Sequence, residues 1–257
     1  MVQIPMISSG PVTKQSVLSI NQKCVQGPKS SHNIASINTG ALQNPSSVAH
    51  ATTVGHNTVQ TGHNAVPVDK PAPALLHTVR KGQKIPLETQ GKLTGINACL
   101  GWNTLNAACD VDVSAFLLDR FGKVPSDTWF VFYGQTKSPD GSTRFLSGQG
   151  EDRESISIDF TKLSVNVQKI VFVLTINEAF ERNLNFSMLK DAYVRIMDQD
   201  SNREIASFKM DEYYSNVTSM MIGEIYRYND RWKFNAIGNG VARDLAGLCE
   251  FYGVQVI

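Results

Sequence analysis

The first hundred residues of the chain contain no aromatic side chain, and all 22 Phe, Tyr and Trp residues lie at or after Trp102. Only five of the first 75 residues are charged, and Ser, Asn, Gln, Thr and Gly are frequent among them. Such a segment buries too little apolar surface to offset the entropy that is lost on ordering. We therefore predict a flexible, low-complexity N-terminal arm over residues 1–77 and one globular domain over residues 78–257.

Concentrated charge and long apolar runs are also missing. The formal net charge is +1 at pH 7, which argues against nucleic acid as the main partner because phosphate binding needs a strongly basic surface. No apolar run is long enough to span a membrane, and residues 1–14 lack the basic start and apolar stretch of a secretion signal. The four cysteines, Cys24, Cys99, Cys109 and Cys249, show no paired spacing and favour reduced thiols. These absences predict a cytoplasmic protein.

Histidine is missing from the domain, since all five histidines lie in the arm: His32, His50, His56, His63 and His77. Without an imidazole the domain lacks the usual general base, and its cysteines lack the partner that a nucleophilic thiolate needs. We therefore predict no catalytic residues and no enzyme. Two GHN repeats in the arm leave two interpretations open: a transition-metal tract, or a polar tether whose histidines are incidental, since their spacing matches no usual zinc-ligand pair.

Behind the arm the pattern becomes typical of β-strands. Eight short runs are rich in β-branched and aromatic residues and are separated by turn residues, at 111–118, 128–134, 155–160, 169–176, 192–198, 204–210, 219–228 and 231–238. Little helical periodicity lies between them, which predicts an all-β-dominated fold, an antiparallel β-sandwich. We also expect a helical turn or two within 179–190 and a short C-terminal helix within 241–253, with Leu245 and Leu248 on one face and Gly253 as its end.

Two groups of carboxylates in the domain suit a hard cation. Asp110 and Asp112 alternate along a strand, so both point to the same face and repel each other unless a cation, a basic residue or solvent lies between them. Glu151, Asp152 and Glu154 lie in a loop just before another strand. Calcium takes six to eight oxygen ligands, so carboxylates from such loops are candidate ligands.

Two other acidic sequences are predicted to be turns. Asp140 lies in an SPDG sequence, which is typical of a turn former. The DQDSN sequence from Asp198 is similar to the start of a helix-loop-helix calcium loop. However, Arg203 stands where that loop requires glycine, and Lys209 stands where its bidentate glutamate should be. We therefore predict a hairpin turn at Asp198.

Several long blocks follow one another from about Val79 onward. They are LGWN at 100–103, CDVDVSAFLL at 109–118, KIVFVLTINEA at 169–179, GEIYRYNDRWKFNAIGNG at 223–240 and YGV at 252–254. In these blocks the chain resembles the TerD-domain family of tellurite-resistance and general stress proteins. The resemblance implies a non-enzymatic, calcium-binding β-sandwich, and by position it implies Asp110, Asp112, Asp152 and Glu154 as metal ligands.

The chain departs from the family pattern around these ligands. Asn103 replaces the aspartate of the family's GWD sequence, Gly134 and Gln135 replace its paired Asn, and Arg153 lies in a shortened acidic loop that lacks the family's GDN motif. Each change removes a ligand or adds positive charge. We therefore expect one calcium site at best, and a degenerate, metal-free domain is the alternative.

The resemblance also implies a function, namely a cytoplasmic stress-response protein that acts as a calcium-linked scaffold for protein assembly. Its implied partners are other proteins of the tellurite-resistance operon, a membrane component among them, and further copies of the chain itself. One alternative is a metal-free structural paralogue that assembles with sibling proteins. Another is a cyclic-nucleotide binder, because slime-mould cAMP-binding proteins share this domain.

Overall fold

The computed structural model describes residues 69–88, 93–148 and 150–255. The predictions for the arm up to residue 68, which include four of the histidines and Cys24, lie outside the described residues. The described chain forms one α-helix, α1 (Leu245–Tyr252), and two 3-10 turns, Asp127–Trp129 and Phe186–Met188. None of these described helices is long and apolar enough to cross a membrane.

Eleven strands make up the rest of the described secondary structure. They are β1 (Lys84–Pro86), β2 (Gly95–Thr104), β3 (Val111–Leu118), β4 (Phe130–Val131), β5 (Thr143–Ser147), β6 (Glu154–Asp159), β7 (Lys169–Ile176), β8 (Leu189–Asp198), β9 (Glu204–Lys209), β10 (Ser219–Tyr228) and β11 (Arg231–Val241). They form a six-stranded sheet in the order β1-β11-β10-β7-β3-β4 and a five-stranded sheet in the order β5-β6-β2-β8-β9. All strand pairs within the two sheets are antiparallel. The predicted antiparallel β-sandwich with a short C-terminal helix is confirmed.

Alternation along β3 shows how the sequence supplies two cores. Val111, Val113 and Leu117 point between the sheets and join the main core, which contains residues of both sheets. Phe116 and Leu118 point to the other face of the six-stranded sheet and join a second core. Because successive side chains of a strand point to opposite faces, a strand that is covered on both faces is apolar over most of its length.

The second core lies where α1 packs on the outer face of the six-stranded sheet. The helix buries Leu248, Cys249 and Tyr252 there. The Asp244 side chain accepts a hydrogen bond of 2.8 Å from a backbone N–H of the first turn and caps the helix. Gly253 ends the helix in the left-handed conformation at φ 87°, which glycine adopts without steric cost. The prediction that Gly253 ends the helix is confirmed.

The two helical predictions differ from the structure in extent. The C-terminal helix begins at Leu245 rather than at 241, because Val241 still pairs with Ser219 in the ladder between β10 and β11. Within 179–190, the helical structure is limited to the 3-10 turn Phe186–Met188, and the chain enters β8 directly afterwards. Backbone pairing with a neighbouring strand therefore determines where each helix can begin or end.

The turn predicted at Asp198 joins β8 to β9. The Asp198 N–H donates to the Arg203 carbonyl at 2.9 Å, and Asn202 lies at a positive φ of 53°. A helix-loop-helix calcium loop is therefore not formed by this sequence. The prediction of a hairpin turn is confirmed.

Asp140 forms the turn that precedes β5, as predicted. Its Oδ1 accepts hydrogen bonds from the Ser138 hydroxyl at 2.7 Å and from the Ser142 N–H at 3.0 Å, and its Oδ2 accepts from the Ser164 N–H at 2.9 Å. Burial raises the pKa of Asp140, but these hydrogen bonds outweigh burial and hold the pKa below the ordinary 3.8. The ionised carboxylate therefore stabilises the folded turn.

We expect Asp140→Asn to lower the melting temperature at neutral pH and to have a smaller effect in acid. A carboxyl group whose pKa is lowered by folding contributes stability above its unfolded pKa and loses it as the pH falls through the folded pKa. The difference in Tm between wild type and variant should be largest above about pH 5 and should shrink toward about pH 3. Differential scanning calorimetry at several pH values measures this difference. A Tm difference that is the same at every pH would contradict the role of the charged carboxylate.

Residues 69–79, called the strap below, run along the five-stranded sheet. At one end, the backbone N–H of Lys70 donates to Asn103 Oδ1 at 2.9 Å, and Asn103 Nδ2 donates to the Lys70 carbonyl at 3.1 Å. At the other end, the N–H groups of Leu76 and His77 donate to Glu204 Oε1 at 2.9 Å and 2.7 Å. Both ends of the strap are therefore attached to the sheet by backbone hydrogen bonds.

The strap also extends the five-stranded sheet by one short pairing. Thr78 forms a parallel bridge with Ser207 of β9, the strand at the end of that sheet. The domain boundary between residues 77 and 78 stays a prediction. Residues 69–77, which that boundary assigns to the arm, include those that bond to Asn103 and Glu204.

Candidate metal site

Three of the four predicted metal ligands lie together at the start of β3. Asp110 and Asp112 flank the first residue of β3, and Glu154 is the first residue of β6 in the other sheet. Among the described strands, β4 pairs with β3 at Ala115 and Phe116, so the beginning of β3 has a free edge on that side. The three carboxylates meet at this free edge.

Glu154 joins the two sheets at this position. Its Oε2 accepts a hydrogen bond of 2.8 Å from the Val113 N–H, a donor on the free edge of β3. Glu154 is almost fully buried, with 1% of its surface exposed. A buried carboxylate on β6 is therefore held against the backbone of β3, close to the two aspartates.

The Asp112 carboxyl group has a strongly raised pKa. Burial raises the pKa of Asp112 well above the ordinary 3.8, and the nearby carboxylates of Asp110 and Glu154 raise it further. Both causes act in the same direction, because loss of solvent and like charge each disfavour the ionised form. A cation placed among the three groups would favour ionisation of Asp112 instead.

Asp152, the fourth predicted ligand, lies on the outer face of the five-stranded sheet and has other partners. Arg195 of β8 donates from Nε to Oδ1 at 3.0 Å and from Nη2 to Oδ2 at 2.7 Å, and the Tyr193 hydroxyl donates to Oδ1 at 3.0 Å. Both oxygens of this buried carboxylate are therefore occupied. The structure does not bring Asp152 together with the other three predicted ligands.

The residues that depart from the family pattern bind one another or the backbone. Arg153 Nε donates to the Trp102 carbonyl, and Arg153 Nη2 donates to Asn103 Oδ1 at 3.1 Å. The Gln135 amide donates to the Phe130 carbonyl at 2.5 Å. The Arg153 guanidinium group thus joins the acidic loop to the LGWN sequence and brings a positive charge there.

The side chains at β3 have the donor chemistry of a hard-cation site but not its arrangement. In the part of the chain that the structure describes, no group of three or more His, Cys, Asp or Glu side chains could hold a metal ion as it stands. Asp110, Asp112 and Glu154 nevertheless supply carboxylate oxygens, the donors that calcium prefers, from both sheets. Binding of a cation would require these three side chains to draw closer together.

Sequence reasoning missed Arg195 and Tyr193 as the partners of Asp152. They lie 43 and 41 residues after Asp152, inside a run that was predicted only as a strand. Their alternate spacing was the available signal, since residues two apart in a strand share one face. An arginine that a strand holds at a largely buried position needs a carboxylate partner nearby.

The three described cysteines are free and buried, as the composition predicted: Cys99, Cys109 and Cys249. Burial raises the pKa of the Cys99 and Cys249 thiols to about 12 and raises the pKa of the Cys109 thiol as well. A thiol is nucleophilic as its thiolate. These cysteines therefore lack the environment of a catalytic nucleophile.

The amino-acid sequence is similar to one domain family and to proteins of stress response and tellurium resistance. The sequence model of the TerD domain matches residues 75–252. General stress protein 16U of Bacillus subtilis (strain 168) is 38% identical over 189 residues, which cover 70% of this chain and 98% of that protein.

Two further relatives have similar sequence identities and coverages. Tellurium resistance protein TerD of Alcaligenes sp is 37% identical over 187 residues, covering 69% of this chain and 97% of that protein. Uncharacterized protein YceE of Bacillus subtilis (strain 168) is 38% identical over 187 residues, covering 68% and 97%. These relatives are matched over nearly their whole length. The chain therefore belongs to the TerD domain family.

Proposed function

We propose that the chain is a non-enzymatic, cytoplasmic stress-response protein that binds one calcium ion and presents its sandwich as a scaffold for other proteins. Membership of a family that includes tellurium-resistance and general stress proteins supports the stress-response class. The lack of histidine from residue 78 onward and the raised thiol pKa values support a non-enzymatic role.

The observation that carries the calcium proposal is the meeting of Asp110, Asp112 and Glu154 at the free edge of β3. Three carboxylates in a partly desolvated place repel one another, and a divalent cation would remove that repulsion. These three residues would hold the ion, and solvent or backbone oxygens would supply the remaining ligands. Since Glu154 belongs to the five-stranded sheet and the aspartates to the six-stranded sheet, calcium would link the two layers.

A single site is proposed because the family's other ligand positions are engaged elsewhere. Asp152 is bound by Arg195, and Asn103 is bound by Arg153. The same observation favours the metal-free paralogue as the second candidate function. In that case the sandwich would have the same scaffold role without calcium.

The partners belong to the proposal as well. Family membership supports assembly with other tellurite-resistance proteins, with further copies of this chain, or with a membrane protein of the same group. The cyclic-nucleotide alternative stays a prediction, and calorimetric titration with cAMP tests it. If the titration releases heat with cAMP but none with calcium, the protein binds a cyclic nucleotide and the proposed calcium-linked scaffold is wrong.

We expect calcium to raise the melting temperature of the wild-type protein relative to the same protein in a chelator. A ligand that binds only the folded state stabilises it by about 2.7 kcal/mol when its concentration is a hundredfold above the dissociation constant. Asp112→Asn should abolish this calcium-dependent shift and should raise the melting temperature of the calcium-free protein, because it removes the repulsion. Calorimetric melting and titration with calcium measure both effects.

Asp230→Asn serves as the matched control, since it removes one carboxylate whose side chain is 93% exposed in the turn between β10 and β11. This variant should keep the full calcium response. A wild-type melting curve that is unchanged by both calcium and chelator would rule out the calcium site and leave the metal-free scaffold.

A further inference from the structure

A cleft of about 960 Å³ lies on the outer face of the five-stranded sheet, away from the three carboxylates at β3. Leu76 and His77 of the strap form one wall, and Cys99, Arg195 and Met197 lie on the sheet that forms the floor. The strap therefore encloses the cleft from one side. Its volume is ample for a small organic molecule.

The lining of this cleft is acidic. It contains five carboxylates, Glu88, Glu151, Asp152, Asp198 and Glu204, and two guanidinium groups, Arg195 and Arg203. Arg195 is paired with Asp152. The pKa of Asp198 is lowered by a hydrogen bond from the Ser201 side chain, by backbone hydrogen bonds and by the nearby charge of Arg203. Lys70 of the strap offsets Glu151 in part. Glu88 and Glu204 are the remaining carboxyl groups of the lining, and the His77 Nδ1 lies 4.0 Å from Glu204 Oε1.

Glu204 has one oxygen without a partner. Its side chain is 2% exposed, and its Oε1 accepts the N–H groups of Leu76 and His77. Its Oε2 is buried and has no hydrogen-bond partner among the described residues. A buried carboxylate oxygen without a hydrogen bond lowers the stability of the folded protein. A ligand that donates a hydrogen bond to Oε2 would remove this cost.

The chemistry of the lining decides which donor fits. A divalent cation would need several oxygen ligands, and two of the lining carboxylates are already engaged, Asp152 by Arg195 and Asp198 by Ser201. An anion is disfavoured by the excess of carboxylates. Leucine and other apolar side chains also line the cleft, among them Leu76, Leu87, Leu93 and Leu146. A ligand with ammonium groups separated by methylene chains fits this lining, because the ammonium groups can pair with the carboxylates and the methylene groups can contact the leucines.

We propose that the cleft binds a small aliphatic polyamine, with one ammonium group donating to Glu204 Oε2. A polyamine is favoured over a single lysine side chain because the lining has several carboxylates, and one ammonium group neutralises only one of them. Oε2 is buried, and Oε1 of the same carboxylate binds the N–H groups of Leu76 and His77. We therefore expect the ammonium group to reach Oε2 when this end of the strap shifts. Polyamine binding and the position of the strap are therefore linked.

Isothermal titration of the full-length protein with spermidine tests the proposal, with a chelator present so that any divalent-metal site is empty. The wild type should bind spermidine with one-to-one stoichiometry, and butanediol, which has no charge, should not bind. Glu204→Gln keeps the shape of the side chain and an oxygen for the strap, and it should weaken binding about tenfold or more, which equals about 1.4 kcal/mol. Glu212→Gln, at an exposed carboxylate paired with Lys81, should leave binding unchanged.

A second variant separates the carboxylate from the strap. Asn103→Ala releases the strap at Lys70 and leaves Glu204 intact, so it should bind spermidine about as tightly as the wild type does. If Asn103→Ala weakened spermidine binding as much as Glu204→Gln did, the affinity would depend on the position of the strap and not on the charge of Glu204. That result would contradict the proposed contact with Glu204. No binding to the wild type at millimolar spermidine, or unchanged binding to Glu204→Gln, would overturn the proposal.

Discussion

Asp152→Ala should lower the free energy of unfolding by about 3–5 kcal/mol, the range measured when one partner of a buried ion pair is removed. Asp152 and Arg195 have side chains that are 5% and 18% exposed, and two hydrogen bonds join them. Without the carboxylate, Arg195 keeps its charge in a place that is largely closed to solvent, and the Tyr193 hydroxyl loses its acceptor. Urea unfolding followed by tryptophan fluorescence measures the change.

A surface pair provides the control for this prediction. Glu212→Ala removes one partner of an ion pair with Lys81 whose side chains are about half exposed, at 52% and 44%. Such exposed pairs contribute little to stability, because water and salt screen the two charges. The double variant Asp152→Leu with Arg195→Met should recover part of the lost stability, because no unpaired charge remains. If the two variants lost the same free energy of unfolding, the burial of the Asp152–Arg195 pair would not be the reason for its contribution to stability.

Phe116→Ala should lower the free energy of unfolding by about 3–5 kcal/mol as well, but through a cavity rather than a charge. Phe116 is fully buried, and its ring lies 4.4 Å from the Phe130 ring and 4.5 Å from the Tyr252 ring. It therefore connects α1 to the outer face of the six-stranded sheet. Hydrogen exchange of the α1 amides should become faster in this variant, and urea unfolding should give the loss of stability.

Phe251→Ala is the matched control, since it removes the same type of side chain from an exposed position on α1. Phe251 is 51% exposed and contacts Lys123 by its ring face. We expect a change of about 1 kcal/mol or less, because little apolar surface is uncovered. If Phe251→Ala released α1 as strongly as Phe116→Ala did, the second core would not be what holds the helix.

Long runs of buried β-branched and aromatic residues could be predicted from the sequence. β3, β7 and β10 have the bounds that the pattern predicts. Each of them lies inside the six-stranded sheet with neighbours on both sides. β3 and β7 are in addition covered on both faces, because the main core lies on one side of them and the second core on the other. A strand that is covered in this way is apolar along most of its length, and this composition is easy to recognise in a sequence.

β2 shows why other strands could not be predicted in this way. Its sequence, GINACLGWNT, contains two glycines and two asparagines, which are depleted in strands. It is nevertheless the central strand of the five-stranded sheet, between β6 and β8. A side chain at Gly101 would overlap the ring of Tyr193 on β8, so glycine is required there by a neighbour in the sheet. Local propensity carries no information about such a neighbour.

The candidate site was predictable to the extent that it depends on strand alternation. The spacing of Asp110 and Asp112 places them on one face, and the structure places Glu154 beside them. Asp152 is only two residues from Glu154, yet it pairs with Arg195 on the outer face of the sheet. The loop before β6 turns between these two residues, and its conformation depends on contacts with distant strands that the sequence does not reveal.

The pairing of Thr78 with Ser207 has a consequence for self-association. β9 is the last strand of the five-stranded sheet, and an uncovered edge strand offers its free backbone groups to the edge of another molecule. The Val79 N–H and the His77 carbonyl satisfy the backbone of Ser207 on that edge. A fragment that begins near Leu76 keeps this cover. A fragment that begins at Arg80 loses it, and edge-to-edge aggregation becomes a hazard that the intact chain avoids.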